Sequence, residues 1–378
     1  MQIKICVQTL LMALSNMSSM VKKKSINPMI SNIKVEIDAT QLILCTTDLN
    51  ILIKIKIPLQ SSIDKLSITI SFWILYDIIR GISSQNVDLI FLKTYDEVVK
   101  LFIKAQDVEF SLPCSNSNDF PLFKEEDIYV SKFQVATNEL RNILLTTKHA
   151  TPVEINSQYH INGIMLHVRQ NEKGNNVLRC VATDCHRLAL SEVSVSTQIN
   201  IPDIIIPSKT VEELIRILEI NMDLTRIQLS SNRINFQIGN ITLISKLIEG
   251  NFPKYESIIP QYNTNKVDIP VKHFAKSIEL VSKISINKPK SVKMLFKKTR
   301  MTLSTIDKSN STGKINIDIS YNGEDMEISF NIKYILDILS NVQSKFITVY
   351  LESSFSSVLF VGREDICTKF ILMPLSVE

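Results

Sequence analysis

The sequence predicts an α+β chain of three similar units, at residues 1–127, 128–262 and 263–378, each with two helices and a run of strands. Three observations predict it. Period-two alternation recurs along the chain, most plainly where Ile51, Ile53, Ile55 and Ile57 are set against Lys54 and Lys56, as in a half-buried strand. Apolar residues at helical spacing interrupt those runs at wide intervals. Short similar strings also recur: "DFPLF" at Asp119–Phe123 and "NFPKY" at Asn251–Tyr255 each precede a new unit, and "VSKF" from Val130 and "VKHF" from Val271 open a helix in the unit that follows. A chain of 378 residues also exceeds the ~250–300 residues at which single cores stop growing.

In the first unit, Gln8–Met20 and Phe72–Ile82 carry the weaker helical patterns. In the second, Phe133, Ala136, Leu140, Ile143 and Leu144 recur at three- and four-residue steps. Val211, Leu214, Ile215 and Leu218 form another such face, with Pro207-Ser208 in capping position. Arg226 to Glu249 then reads as three strands broken at Ser231-Asn232 and Gly239-Asn240. The third unit has helical faces at Phe274, Ile278, Val281 and Ile284, and at Tyr334, Ile335, Ile338 and Leu339. Between them, two alternating runs from Lys314 to Phe330 flank Asn322-Gly323, a strong hairpin signal. Strands at Phe346–Leu351, Ser357–Val361 and Lys369–Met373 complete the pattern.

Composition narrows the function classes. Hydrophobic residues make up 45% and charged residues 21%, which is globular and not disordered. Lys and Arg number 42 against 38 Asp and Glu, a net +4 too mild to identify a nucleic-acid partner, so any basic surface must come from placement. Cys6, Cys45, Cys114, Cys180, Cys185 and Cys367 are scattered without a CxxC pair, and the five histidines are dispersed. That pattern excludes zinc-finger spacing and a dense disulfide scaffold, and reduced thiols in the cytoplasm fit best. No cofactor and no metal are expected.

The apolar N-terminal run is interrupted by Gln8 and ended by Ser15-Asn16, with no small-x-small site before Lys22-Lys23-Lys24, so a signal peptide is not expected. No stretch reaches the ~18–20 apolar residues of a membrane span, and a soluble protein with no membrane partner is expected. No GxSxG, phosphate-cradling loop or HExxH motif is present.

At Val181–Leu190 the chain reads "VATDCHRLAL", which resembles the V-A-T-D-G-H-R-L-A string of the bacterial DNA polymerase III beta subunits, the β sliding clamps, with Cys185 in place of the glycine. Further strings similar to the family's fall in order: "TDLN" at Thr47–Asn50, "ING" at Ile161–Gly163, "SKLIEGNFPKYESIIP" at Ser245–Pro260, "FNIKYILDIL" at Phe330–Leu339, "SSV" at Ser356–Val358 and "LMPL" at Leu372–Leu375. The resemblance covers essentially the whole chain. It implies three repeated DNA-clamp domains, with helices lining a hole and sheets on the rim, in a head-to-tail dimeric ring. The implied function is a processivity factor without a catalytic site. It would encircle double-stranded DNA irrespective of sequence and tether the replicative polymerase catalytic subunit, the clamp loader, repair polymerases and other proteins with a clamp-binding motif.

For the DNA, Lys272, Lys276 and Lys283 share a helix face with Glu279 between them, Arg141 and Lys148 lie on another helix, Lys209 and Arg216 on a third, and Arg80 ends a fourth. Each cation alone reads equally as an ordinary solvated face; helices that all face one hole would make them a phosphate-binding lining. By the resemblance, Lys24 stands at a DNA-contacting arginine, and Gln158 and Tyr159 stand at a basic-aromatic pair on a DNA-touching loop. Gln158 lacks that charge, His160 replaces a common tyrosine, and Ser208 replaces a frequent arginine.

For the partner peptide, the resemblance places Thr183, His186, Arg187 and Leu188 on one wall with Ile161 beneath. Pro253 and Ile258 form another wall, and Ser357, Ile371, Met373, Pro374 and Leu375 close the site. Aliphatic and Met side chains suit an adaptable apolar slot. The dimer interface would join the edge strand of Phe110 and Leu112 to the partner's helix end near Ile284. Two rivals stand beside this reading. One is a β-rich peptide-binding module that forms no ring. The other is a hydrolase using Asp184, Cys185 and His186, disfavoured because adjacent strand residues point to opposite faces.

Overall fold

The structure is a computed structural model. It describes residues 1–378 apart from 24–26, 95–96, 107, 124–128, 155–157, 172–173, 196–198, 220–221, 261–264, 285–290, 307–311 and 376–378. One plan, a strand, a helix, further strands, a second helix and closing strands, is traversed three times. The first pass is β1 (Gln2–Cys6), α1 (Val7–Met17), a 3-10 turn (Pro28–Ser31), β2 (Asn32–Thr47), β3 (Ile51–Ser71), α2 (Phe72–Gly81), β4 (Asn86–Thr94), β5 (Glu97–Ala105), β6 (Val108–Pro113) and the short β7 (Ser115–Asn116).

The second pass is β8 (Ser131–Ala136), α3 (Thr137–Lys148), a 3-10 turn (Tyr159–Ile161), β9 (Gly163–Gln170), β10 (Asn176–Thr183), β11 (Arg187–Ser194), β12 (Ile204–Pro207), α4 (Ser208–Ile217), β13 (Leu224–Leu229), β14 (Arg233–Ile238) and β15 (Ile241–Lys246). The third opens on a 3-10 turn (Tyr255–Ile258) and continues through β16 (Asn265–Pro270), α5 (Val271–Ser282), β17 (Ser291–Lys297), β18 (Arg300–Ile306), β19 (Thr312–Asp318), β20 (Met326–Asn331), α6 (Ile332–Asn341), β21 (Phe346–Leu351), β22 (Val358–Gly362) and β23 (Asp365–Leu372).

Compactness divides the chain differently. One unit is Met1–Asn138 with Glu212–Leu247, and the other is Glu139–Val211 with Ile248–Glu378. The reason lies in the backbone ladders. In the first unit, one sheet runs β1-β4-β5-β6, and another runs β2-β3-β15-β14-β13-β8, with β7 beside β3. In the second, one sheet runs β12-β9-β10-β11-β23-β22-β21-β16 and the other β19-β18-β17-β20. Strands of the middle repeat therefore continue a first-repeat sheet through β15–β3 and a third-repeat sheet through β11–β23. Unpaired backbone groups at the sheet edges are removed by those ladders.

Local pattern explains most elements. Ile51, Ile53, Ile55 and Ile57 are buried along β3 while Lys54 and Lys56 turn outward. Phe274, Ile278 and Val281 form the buried stripe of α5; Val211, Leu214 and Ile215 that of α4; Ile335, Ile338 and Leu339 that of α6. Asn331 caps α6 by accepting from the Lys333 amide at 2.9 Å.

Four expectations need correction. Phe133 and Ala136 belong to β8, not to the helix that follows, because a strand and a helix in direct succession can mimic a three-four spacing. Val130 accordingly precedes a strand, whereas Val271 does open a helix. Ser208 does not act as a cap ahead of its helix: it is the first residue of α4, and its hydroxyl donates to the Asn162 carbonyl at 2.9 Å. Asn322-Gly323 does not join a hairpin, since β19 pairs with β18 and β20 pairs with β17 at the opposite edge. Instead the segment docks on β16: Asn322 Oδ1 accepts from the Lys266 amide at 3.1 Å, and Tyr321 forms a bridge with Val267.

Candidate functional site

In the second unit a densely hydrogen-bonded turn runs from Thr183 to Arg187, between β10 and β11. Thr183 Oγ1 donates to the Arg187 carbonyl at 2.7 Å and accepts from the Cys185 amide at 3.2 Å. Asp184 Oδ1 accepts from the amides of His186 and Arg187 at 3.0 and 3.1 Å, and its Oδ2 accepts from Arg187 Nε at 2.9 Å. A Thr and an Asp thus supply side-chain partners to the turn's backbone, alongside the one backbone bond that closes it, from the Asp184 amide to the Arg187 carbonyl at 3.4 Å. At its apex Cys185 has φ 72°, the left-handed region where a Cβ is strained.

That conformation corrects the picture of Cys185 and His186 as neighbours on a strand. Both lie in the turn, both are exposed, and the Cys185 thiol faces Gln158 Oε1 at 3.7 Å. Among the described residues, no imidazole hydrogen-bonds that thiol, which a thiol nucleophile would need.

The ladder between β11 and β23 pairs Arg187 with Leu372 and Leu188 with Ile371, which carries the C-terminal segment along the turn. The Met373 amide donates to the His186 carbonyl at 3.0 Å and the Leu375 amide to the Ser329 carbonyl at 2.8 Å. Val358 pairs with Leu372, and the neighbouring Ser357 hydroxyl reaches the Ile258 carbonyl at 3.4 Å. Beneath lies a cluster of Met165, Val181, Leu188, Leu190, Tyr255, Leu359, Val361 and Ile371, with Phe252 and Ile259 packed against it.

Met373 and Ile258 stand 43% and 42% exposed, whereas Leu188 and Ile371 are buried; the result is apolar side chains presented to solvent over an apolar floor. Pro253, Pro374 and Leu375 are half-buried. Ile161 is fully buried, beneath the site and not on its surface.

A polar rank holds the 3-10 turn of Tyr255–Ile258 against the sheet. Arg179 faces His167 on one neighbouring strand and Glu192 on the other. It pairs with Glu192 at 2.9 Å and donates to the Tyr255 hydroxyl at 3.0 Å, which lies 3.0 Å from His167 Nε2. With Arg179 donating to its oxygen, the tyrosine directs its own proton to Nε2, which requires a neutral imidazole. Burial, reinforced by Arg169, lowers the His167 pKa to about 4, and burial pushes Tyr255 up to about 12.

The predicted DNA-facing cations occupy helix surfaces. Lys272, Lys276 and Lys283 are exposed at α5, opposite its buried stripe, and the helix packs against α6. Arg80 is exposed at the end of α2 and Lys209 near the start of α4; Arg141 and Lys148 are half-buried on α3. Arg216 is engaged elsewhere, donating to the Asn16 carbonyl at 2.5 Å and to Glu213 at 2.8 Å. Gln158 is exposed, while Lys24 and the side chain of Tyr159 lie outside the described residues. At the predicted dimer edge, β6 is the terminal strand of its sheet, with Phe110 43% exposed and Leu112 buried. Ile284 is half-buried and packs beside Gly313 of β19, itself a terminal strand.

Family models of the DNA polymerase III beta subunit match nearly the whole chain: the N-terminal domain at residues 1–124, the central domain at 134–254 and the C-terminal domain at 256–376. The beta sliding clamp of Caulobacter vibrioides (strain NA1000 / CB15N) is 32% identical over 376 residues, covering 97% of this chain and 98% of that protein. That of Rickettsia felis is 30% identical over 384 residues, covering 98% of each. The crystal structure of the C. crescentus clamp matches with a TM-score of 0.93 at 31% identity, covering 100% of this chain and 99% of that one. The Pseudomonas aeruginosa DNA polymerase III subunit beta matches at 0.93 and 25% identity, covering 100% of each.

The chain belongs to the DNA polymerase III beta subunit family. Beta subunits are sliding clamps and processivity factors, so this one serves DNA replication without a catalytic site of its own. Among the described residues, no group of acidic, His or Cys side chains could hold a metal, and no helix is long and apolar enough to cross a membrane.

Sequence reasoning passed over the rank of His167, Arg179 and Tyr255. The available signal was a lone His inside the apolar run "GIMLHV" of β9, a residue that burial forces to find a partner.

In this clamp subunit, Cys185→Gly is expected to stabilise the fold by about 1 kcal/mol, the usual cost of a left-handed L-residue. Thermal melts would show a rise of a few degrees; an unchanged or lower midpoint would mean that Cys185 carries no net strain.

Proposed function

We propose that two copies of this clamp subunit close head to tail into a ring around duplex DNA, through the edge strand of Phe110 and Leu112 and the helix end at Ile284. In this reading the clamp domains are 1–127, 128–262 and 263–378. The observation that carries the reading is the exposed row of Lys272, Lys276 and Lys283 opposite the apolar stripe of α5, in a chain of this family. A helix of that length spans roughly 18 Å, enough to cross a duplex without entering a groove. Contacts are then with phosphate, independent of sequence and weakened by salt. Arg80, Arg141, Lys148, Lys209, Lys272 and Lys276 serve as such contacts, joined by Lys24, Gln158 and Tyr159.

The apolar site of Thr183, His186, Arg187, Leu188, Pro253, Ile258, Ser357, Ile371, Met373, Pro374 and Leu375, over Ile161, takes a short peptide with apolar anchors. Its donors are the replicative polymerase catalytic subunit, the clamp loader, repair polymerases and other proteins with a clamp-binding motif. The work is done in the cytoplasm.

Enclosure and grip give different outcomes. Once loaded on closed circular DNA, the clamp is expected to persist at a salt concentration that strips groove binders, and to leave when the circle is cut. Gel filtration of labelled clamp with circular and linearised DNA reads this directly; equal loss from both would sink the ring. For the peptide site, Met373→Ala with Leu375→Ala should raise the Kd for a fluorescent peptide from the polymerase's clamp-binding segment at least about a hundredfold, with the dimer intact by sedimentation. An unchanged Kd would remove the site assignment.

A further inference from the structure

One wall residue of the peptide site is already engaged inside the protein. The Arg187 side chain is 3% exposed. Its Nε donates to Asp184 at 2.9 Å, its Nη1 donates to Asp337 at 2.5 Å, and its guanidinium lies 4.2 Å over the Tyr334 ring. Asp337 and Tyr334 are both on α6, one turn apart, so they present a carboxylate and a flat ring on the same helix face. Half-buried His149 is nearby but adds no charge at neutral pH, since burial and then Arg187 lower its pKa to about 4.

A second set of bonds ties the same segment to the site. The strand leading into α6 supplies the Ser329 carbonyl that accepts from the Leu375 amide, while Met373 is bound to the His186 carbonyl. The β20–α6 segment therefore fixes the C-terminal wall through the backbone and the turn through Arg187. Arg187 acts as a strut between carboxylates and not as a receptor for a partner's carboxylate, because both acids it meets belong to its own chain.

We propose that Asp337 is a positioning residue of the peptide site, acting through Arg187 to hold the Thr183–Arg187 turn at the spacing the peptide requires. The inference rests on the peptide-site reading above and adds to it a residue that lies outside the walls. Removing Asp337 leaves the buried Arg187 Nη1 without its acceptor and Asp184 as the remaining carboxylate partner, so the turn shifts even though Asp337 never touches the ligand.

The test is a double-mutant cycle on the full-length clamp, read as the Kd of the same fluorescent peptide. Asp337→Ala should raise the Kd about tenfold, in the range seen when the supports of a binding residue are removed. Asp337→Glu should recover most of that loss, and Asp337→Ala should add nothing to Arg187→Ala. General destabilisation would lower the melting temperature in both backgrounds but would not produce this silence in the Arg187→Ala background. If Asp337→Ala fails to fold, Asp337→Asn, which keeps the size and one acceptor, enters the same cycle. Wild-type affinity in the Asp337 variants, or losses that add to those of Arg187→Ala, overturns the strut. If Met373→Ala with Leu375→Ala still abolishes binding, the peptide site itself stands. If that variant binds normally, the site reading falls and the strut with it.

Discussion

The antiparallel ladder from Arg187↔Leu372 to Ser191↔Thr368 is the constraint on which the site depends. It joins the middle repeat to the third by backbone hydrogen bonds, the least substitutable interaction a sheet has. Leu188, Ala189, Leu190, Phe370, Ile371 and Leu372 along it are all buried, so a register slip would re-pack core side chains on both faces of the sheet. With the register fixed, Met373 must emerge beside His186 and the turn must stand over β23. The ladder of Ile51↔Ser245 to Ile55↔Ile241 does the same for the first and middle repeats. Repetition of one unit and continuity of its sheets are thus a single device.

The two kinds of contact surface follow opposite physics. The proposed peptide site gathers Met373 and Ile258 over a floor of Leu188 and Ile371, where removal of apolar area from water would supply the affinity. The exposed cations of α5 stay solvated on a face opposite the core, where each proposed interaction with a phosphate would be weak and screened. Weak, nonspecific contacts suit a protein that must move along its template. Retention then has to come from the closed path of the chain around it.

Much of this was legible in the residues. Alternation marked β3, the three strands from Leu224 to Lys246 and the last three strands, and the helix faces at Phe274 and Tyr334 marked α5 and α6. The failures share a cause. Phe133 and Ala136 belong to a strand that runs straight into α3, and local spacing does not register the change of period. Asn322-Gly323 has the chemistry of a tight turn, but β17 and β18 already occupy the sheet positions between β19 and β20.

At the site, the "VATDCHRLAL" string located the turn, and the left-handed Cys185 explains why glycine suits that place. The Asp337 strut and the Tyr255–His167–Arg179 rank were not legible, because their members are separated by up to 150 residues and meet only through the sheet.

The central claim is enclosure, and direct imaging of the purified protein by electron microscopy tests it most plainly. The account predicts a dimer of about twice 43.0 kDa whose class averages show a central opening wider than a DNA duplex. A monomer, or a dimer with a filled centre, would contradict it.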